Sequence, residues 1–339
     1  MRFTTSGALA TMYAVMLARA FTGRQLVLKV CGGWHGGQPW GLVGVSYAAG
    51  DQPWRIEGEG LPAGIGGEVL ITRFNDPDAL TAVFGAHGDR IACFIVEPFI
   101  GAGGYIFATT GYLRAARALC DRYGALLISD EVISGFRFRA GDLMRLHGVQ
   151  PDLATFAKIM GGGMPAAAVA GRAAVLGLAG RQGGGRVRFS GGTYSAHPAS
   201  LLAAKTMLTH LAEHEAEIYP RLARLGEAAR RGVERAFQDA GMAVCCTGDG
   251  VDGLPGGSMF LPHFPLRDIR PPVSPDEAND PALFEAEVRE HLLQLALLLE
   301  DVHVVHGGGN VSASHTEADL ALLAAACGRA AARIMAGRA

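Results

Sequence analysis

The chain has 339 residues, 49% of them hydrophobic, which is ample material for a core and excludes wholesale disorder. Its 30 Lys and Arg against 32 Asp and Glu leave a net charge of −2, so it has neither the basic surplus of a nucleic-acid binder nor an acidic tail. The 48 glycines follow no three-residue period, which excludes collagen and points to tight turns and backbone that approaches a ligand.

The length suggests about two domains, or one large domain with an appendage. The chain opens with a helix over about 8–20, for which Thr5 and Ser6 are good caps and which ends near Gly23. Arg19 breaks its apolar stretch, and nowhere do 18 apolar residues run uninterrupted, so no membrane span is expected. A strand over 25–30 runs into the glycine-rich loop CGGWHGG, and residues 41–67 show no clear period. The apolar run 91–96 suits a strand buried on both faces and closes on Glu97-Pro98. A helix over 110–123 ends at Gly124, and a buried strand over 125–129 ends at Asp130-Glu131. Short strands are expected at 153–157 and 166–170. This alternation predicts an α/β fold with a mostly parallel sheet covered by helices. Helices are then expected at 198–213, 216–240, 283–299 and 316–335, with 264–282 as loop. The change of pattern near 205–215 divides the chain into a large domain, 1–210, and a smaller α+β domain, 211–339.

Ligands of open α/β sheets bind outside the carboxyl ends of the strands, where three features converge. Thr5-Ser6-Gly7-Ala8 stands at a helix N-terminus, which is an anion site or a plain N-cap. Asp130 ends a buried strand, a costly place for a carboxylate unless it meets donors or a cation; a helix cap or a salt bridge would also answer. Lys158 sits among apolar neighbours in TFAKIMGGGMP, where burial would lower its pKa and make it a nucleophilic amine. The other two lysines, Lys29 ending a strand and Lys205 on a helix, lack such a setting. The six cysteines form no C-x-x-C and read as buried free thiols of a reducing cytoplasm. His210 and His214 fit an H-x-x-E-H spacing but have no evident third ligand, and no metal is expected. A phosphate cradle, a carboxylate and a desolvated lysine are together the parts of a pyridoxal phosphate site.

The motifs carry a resemblance that runs from one end of the chain to the other. TSGALATMYAVMLARAFTGR (5–24), GGWHGG (32–37), VEPFIGAGG (96–104), LLISDEVISGFR (126–137), PDLATFAKIMGGGMPAAAVAGR (151–172), GGTYSAHP (191–198) and GGGNVSASHTEADL (307–320) resemble the class III, fold-type I, pyridoxal-phosphate aminotransferases. Within that class the chain is most similar to the glutamate-1-semialdehyde aminomutases. The resemblance implies that Lys158 bonds the cofactor's aldehyde and shuttles the proton, and that Asp130 pairs with the pyridine nitrogen. It places Val132 and Trp34 on the two ring faces and Ser6, Gly7 and Ala8 around the phosphate. Gly192 and Thr193 are implied to reach the phosphate of a neighbouring subunit, hence a homodimer with shared sites acting on a small amino acid or amino aldehyde. Family members carry a long segment ahead of the phosphate loop, so the small domain is expected to lack its N-terminal part. The chain departs from the family at Ala8-Leu9, where Thr-Glu is usual, at Trp34, where Tyr is usual, and at Ala102, usually polar. A β- or ω-amino-acid aminotransferase, or a non-catalytic protein of this fold, are the alternatives.

Overall fold

The computed structural model describes residues 1–45, 56, 58–180 and 185–337; residues 46–55 and 57 of the irregular stretch expected at 41–67 therefore lie outside the described residues. The chain divides into two compact units, Met1–Ala102 with Ala108–Glu215, and Gly103–Phe107 with Ala216–Ala339.

The first unit is built on a seven-stranded sheet. Its strands are β1 (Arg2–Thr4), β2 (Leu26–Val30), β3 (Val69–Thr72), β4 (Ile91–Val96), β5 (Leu126–Asp130), β6 (Leu153–Phe156) and β7 (Ala167–Gly171), in the order β1-β7-β6-β5-β4-β2-β3. The pairs β6–β5, β5–β4, β4–β2 and β2–β3 are parallel, whereas β7 is antiparallel to both its neighbours. Every residue of β4 is buried, as its unbroken apolar run requires of a central strand covered on both faces. The longer helices are α1 (Gly7–Thr22), α2 (Pro77–His87), α3 (Thr110–Tyr123) and α4 (Pro198–Glu213). The Ala- and Leu-rich face of α1 packs with Val27, Cys93, Ile95, Leu126, Ile128, Leu153 and Val169 in one core. α1 and α3 both stop on a glycine in the left-handed region, Gly23 at φ 71° and Gly124 at φ 67°, conformations that cost any other residue a clash at Cβ.

The second unit holds a three-stranded antiparallel sheet of β8 (Cys245–Thr247), β9 (Met259–His263) and β10 (Gly309–Asn310). Helices α5 (Glu215–Asp239), α6 (Leu293–Leu298) and α7 (Glu317–Ala336) bury Val233, Phe237, Leu297, Ala330 and Ile334 in its core. The helix expected from 283 starts later, with a π-helical turn at Val288–Leu292 leading into α6, because Phe284 is held in a β-bridge to Pro265. The loop expected at 264–282 contains one helical turn, Pro275–Ala278, capped by the Ser274 hydroxyl. All six cysteines are buried free thiols. Among the described residues no helix is long and apolar enough to cross a membrane.

Candidate active site

The parallel strands of the first unit bring three loops to one end of the sheet. Val96 of β4 is in register with Ser129 of β5, so Glu97 and Asp130 leave the sheet side by side, and Asp130 is itself in register with Thr155 of β6. Asp130 is 2% exposed. Its Oδ1 accepts from the Val132 N–H at 3.1 Å and from the Thr155 hydroxyl at 3.0 Å, and its Oδ2 lies 2.7 Å from His35 Nδ1. These contacts offset the desolvation of a buried carboxylate.

His35 is buried, and its Nε2 has no protein partner. Burial lowers its pKa, an effect that the hydrogen bond and charge of Asp130 oppose. The Gln38 side-chain amide donates to the His35 carbonyl at 2.7 Å and fixes the loop behind the ring. This loop crosses the first turn of α1 so closely that a Cβ on Gly36, which sits at φ +105°, would meet the Ala8 Cβ at 2.5 Å. Gly7 is equally constrained, since its Cβ would meet the Val132 methyls at 2.8 and 2.9 Å. Ser6 caps α1 by accepting from Leu9 N–H, and no acidic residue stands in the first turn, so the helix N-terminus keeps its positive field.

Lys158 follows β6 and opens a 3₁₀ turn, Lys158–Gly161. It adopts φ +50°, a left-handed conformation that costs a side chain about 1 kcal/mol or more and that concentrates at functional sites. Its side chain opens onto the cavity, yet surrounding protein lowers its pKa; Glu97 and then Asp130 oppose that shift and Arg137 adds to it. The cavity has a volume of about 390 Å³. Ser6, Gly7 and Ala8 line it with Trp34, and so do Asp130, Val132 and Lys158. Met164, Pro165 and Ala166 complete an apolar wall. Neither Gly192 nor Thr193 lines it; Gly192 lies beside Thr5, and Thr193 is exposed.

Lys29 corrects the sequence reading. It is completely buried, and its ammonium donates to the carbonyls of Gly41 at 3.0 Å and Val43 at 2.9 Å. Burial brings its pKa down to about 8, with Glu97 acting the other way. A depressed pKa therefore does not single out Lys158. What does is its place in the cavity wall, whereas Lys29 is locked to backbone carbonyls and does not line the cavity. Two residues escaped the sequence reading altogether as site members, His35 and Glu97. Their signals were a histidine inside a glycine-rich loop after a strand, and a carboxylate at the end of an all-apolar strand.

With this geometry in place, the likeness to known proteins becomes interpretable. The family model for aminotransferase class-III matches residues 1–244. The chain belongs to the class-III aminotransferase family. A glutamate-1-semialdehyde 2,1-aminomutase of Acidobacterium capsulatum is 38% identical over 272 residues, 79% of this chain and 61% of that protein. One of Pyrobaculum calidifontis is 37% identical over 281 residues, 83% of this chain and 60% of that protein. The chain thus spans about three fifths of the length of these curated relatives. Among solved structures, an omega-transaminase from Sphaerobacter thermophilus superposes with a TM-score of 0.85 at 30% identity, covering 98% of this chain and 73% of that one. This likeness bears out the fold-type I architecture expected from the sequence.

Proposed function

We propose that this chain performs pyridoxal-phosphate-dependent amino-group transfer of the kind for which the glutamate-1-semialdehyde aminomutases are named. The observation that carries the reading is the convergence of Lys158, Asp130 and the N-terminus of α1 on one cavity. The residues fit the cofactor. The first-turn N–H groups of α1, with no carboxylate beside them, suit a phosphate dianion held by Ser6, Gly7 and Ala8. Asp130, fixed by His35 and Thr155, suits a protonated ring nitrogen. Val132 and Trp34 suit the two ring faces, and the Lys158 amine suits the aldehyde.

When bound, the cofactor's ring supplies an electron sink beside the transferred nitrogen. Asp130 keeps the proton on that ring nitrogen. His35 holds the Asp130 carboxylate in orientation through its 2.7 Å contact. Lys158, with its lowered pKa, takes and returns the proton at the substrate carbon. Trp34 and Met164 line the cavity and offer apolar surface beside the reacting atoms. The substrate is a small amino acid or amino aldehyde, and the 38% and 37% identities to aminomutases support return of the amine to the neighbouring carbon of the same molecule. Thr193, Tyr194 and residues 196–199 are exposed, in keeping with a homodimer in which Gly192 and Thr193 reach the partner's phosphate.

The test is an absorption spectrum of the purified chain with pyridoxal phosphate, followed by borohydride reduction and peptide mapping. A visible band fixed onto Lys158, and lost in Lys158→Ala, is expected. A reduced adduct on Lys29 or Lys205 instead would overturn the assignment.

A further inference from the structure

His35 faces the Asp130 carboxylate through Nδ1, so that nitrogen carries the ring proton. Where the ring sits depends on how its backbone is held. Glycines stand at 32, 33, 36 and 37, so the loop has little stiffness of its own. The anchor comes from α1. The Thr11 hydroxyl donates to the His35 carbonyl at 2.5 Å, and the Gln38 side-chain amide donates to the same oxygen at 2.7 Å. Gln38 Nε2 also donates to the Thr11 hydroxyl at 3.0 Å, which closes a three-cornered network. Thr11 is 1% exposed. Its single hydroxyl proton has two acceptors in range, the His35 carbonyl and, at 3.0 Å, the Ala8 carbonyl, and the shorter contact takes it. One side chain thus touches both the first turn of α1 and the loop whose histidine orients Asp130.

We propose that Thr11 is a positioning residue of this site: its hydroxyl, braced by Gln38, pins the His35 backbone to α1 and so holds the His35 ring against Asp130. The inference rests on Asp130 being the carboxylate opposite the ring nitrogen. Thr11 lines the cavity, but its hydroxyl is engaged by protein and acts through His35. Without that hydroxyl the His35 carbonyl keeps Gln38 as its one side-chain donor, and a buried hydrogen bond is lost at the point where the loop meets the helix. The loop then leaves α1 more often, and each departure takes the ring away from Asp130.

The experiment uses the chain without cofactor, so its result stands apart from whether the site takes up pyridoxal phosphate. The His35 Nδ1 proton, buried against a carboxylate, gives a downfield proton NMR signal that is assigned by its loss in His35→Gln. Its exchange with water is measured by saturation transfer at pH 7. In Thr11→Val the exchange is expected to be about fivefold faster, the effect of one net hydrogen bond on local opening. The amides of Cys93 and Ile95 in β4 should keep their protection, and Thr11→Ser, which retains the hydroxyl, should keep the wild-type rate. An unchanged Nδ1 exchange rate in Thr11→Val would overturn the proposal. So would an equal acceleration of the β4 amides, since the hydroxyl would then support the fold as a whole rather than the ring. Gln38→Met removes the bracing amide from a partly exposed position and serves where Thr11→Val does not fold. It should speed the same exchange, and an unmoved rate there would equally overturn the proposal.

Discussion

Both units bury charged side chains, and they wire them differently. In the second unit Arg289 is 4% exposed and every arm is used: Nε donates to Glu290 at 2.8 Å, Nη2 to Asn279 Oδ1 at 2.7 Å, and Nη1 lies 3.1 Å from His263 Nδ1. His263 Nε2 sits 3.1 Å from the Thr247 hydroxyl, which donates to the Gly104 carbonyl at 2.6 Å. The network closes on itself, and each ring nitrogen of His263 has a partner. In the first unit His35 has a partner at Nδ1 alone, and its neighbours Asp130 and Lys158 line an open cavity. A polar network that is satisfied internally specifies a scaffold, and one that ends in a cavity leaves capacity for a ligand.

The largest effect expected from this contrast is at Asp130. Asp130→Asn keeps an acceptor for Val132 and Thr155 but removes the charge that the proposed site sets opposite the ring nitrogen, so single-turnover proton transfer should slow by about 10²–10⁴-fold while the cofactor still binds. Unchanged single-turnover kinetics would end the distinction drawn for this carboxylate. The matching change in the second unit is Arg289→Ala, which leaves His263 Nδ1, Asn279 Oδ1 and the Ala278 carbonyl without their donor. It should cost about 2–4 kcal/mol in urea unfolding. The folded fraction should still form the borohydride-fixed adduct at Lys158. A variant that kept full stability but lost the adduct would reverse the roles assigned to the two networks.

Much of the frame was legible because its signals are local. The run Ile91–Val96 announces a central strand, and Gly23 and Gly124 mark the ends of α1 and α3 by the left-handed conformation they adopt. Lys158 stood out as a charge among apolar residues followed by glycines. What was missed depends on distant partners. β1 has three residues, too few to show alternation, and exists through pairing with β7, Arg2 opposite Val169. His35 is conspicuous in GGWHGG, but its partner Asp130 lies 95 residues away. Lys29 reads as the polar residue of a strand, and only the carbonyls delivered by the turn at Gly41 and Val43 make its burial tolerable. α2 is a different case. Asp76 caps it by accepting from Ala79 N–H and Pro77 opens it, so its start signal was present in a stretch the sequence reading left unassigned.

The smallest effect tests the wiring of the two histidines by pH. Because Arg289 can only donate, His263 Nδ1 must accept, and the ring must be neutral with its proton on Nε2 toward Thr247. Protonation would break the Arg289 contact and place two cations together, and burial together with Arg289 holds the pKa well below 6.5. The unfolded chain therefore binds a proton that native His263 refuses. This part of the stability is fully present above pH 6.5 and is lost as pH falls toward the native pKa, at roughly 1.4 kcal/mol per unit. Hydrogen exchange in β8 and β9, corrected for the intrinsic rate, should show protection falling between pH 7 and pH 5. His263→Gln can still accept from Arg289 and donate to Thr247 but cannot titrate, so it should remove that slope. If the slope persists in His263→Gln, another group is responsible. His35 should show a weaker dependence of the same sign, because the Asp130 carboxylate that accompanies it opposes the effect of burial, whereas Arg289 beside His263 reinforces it.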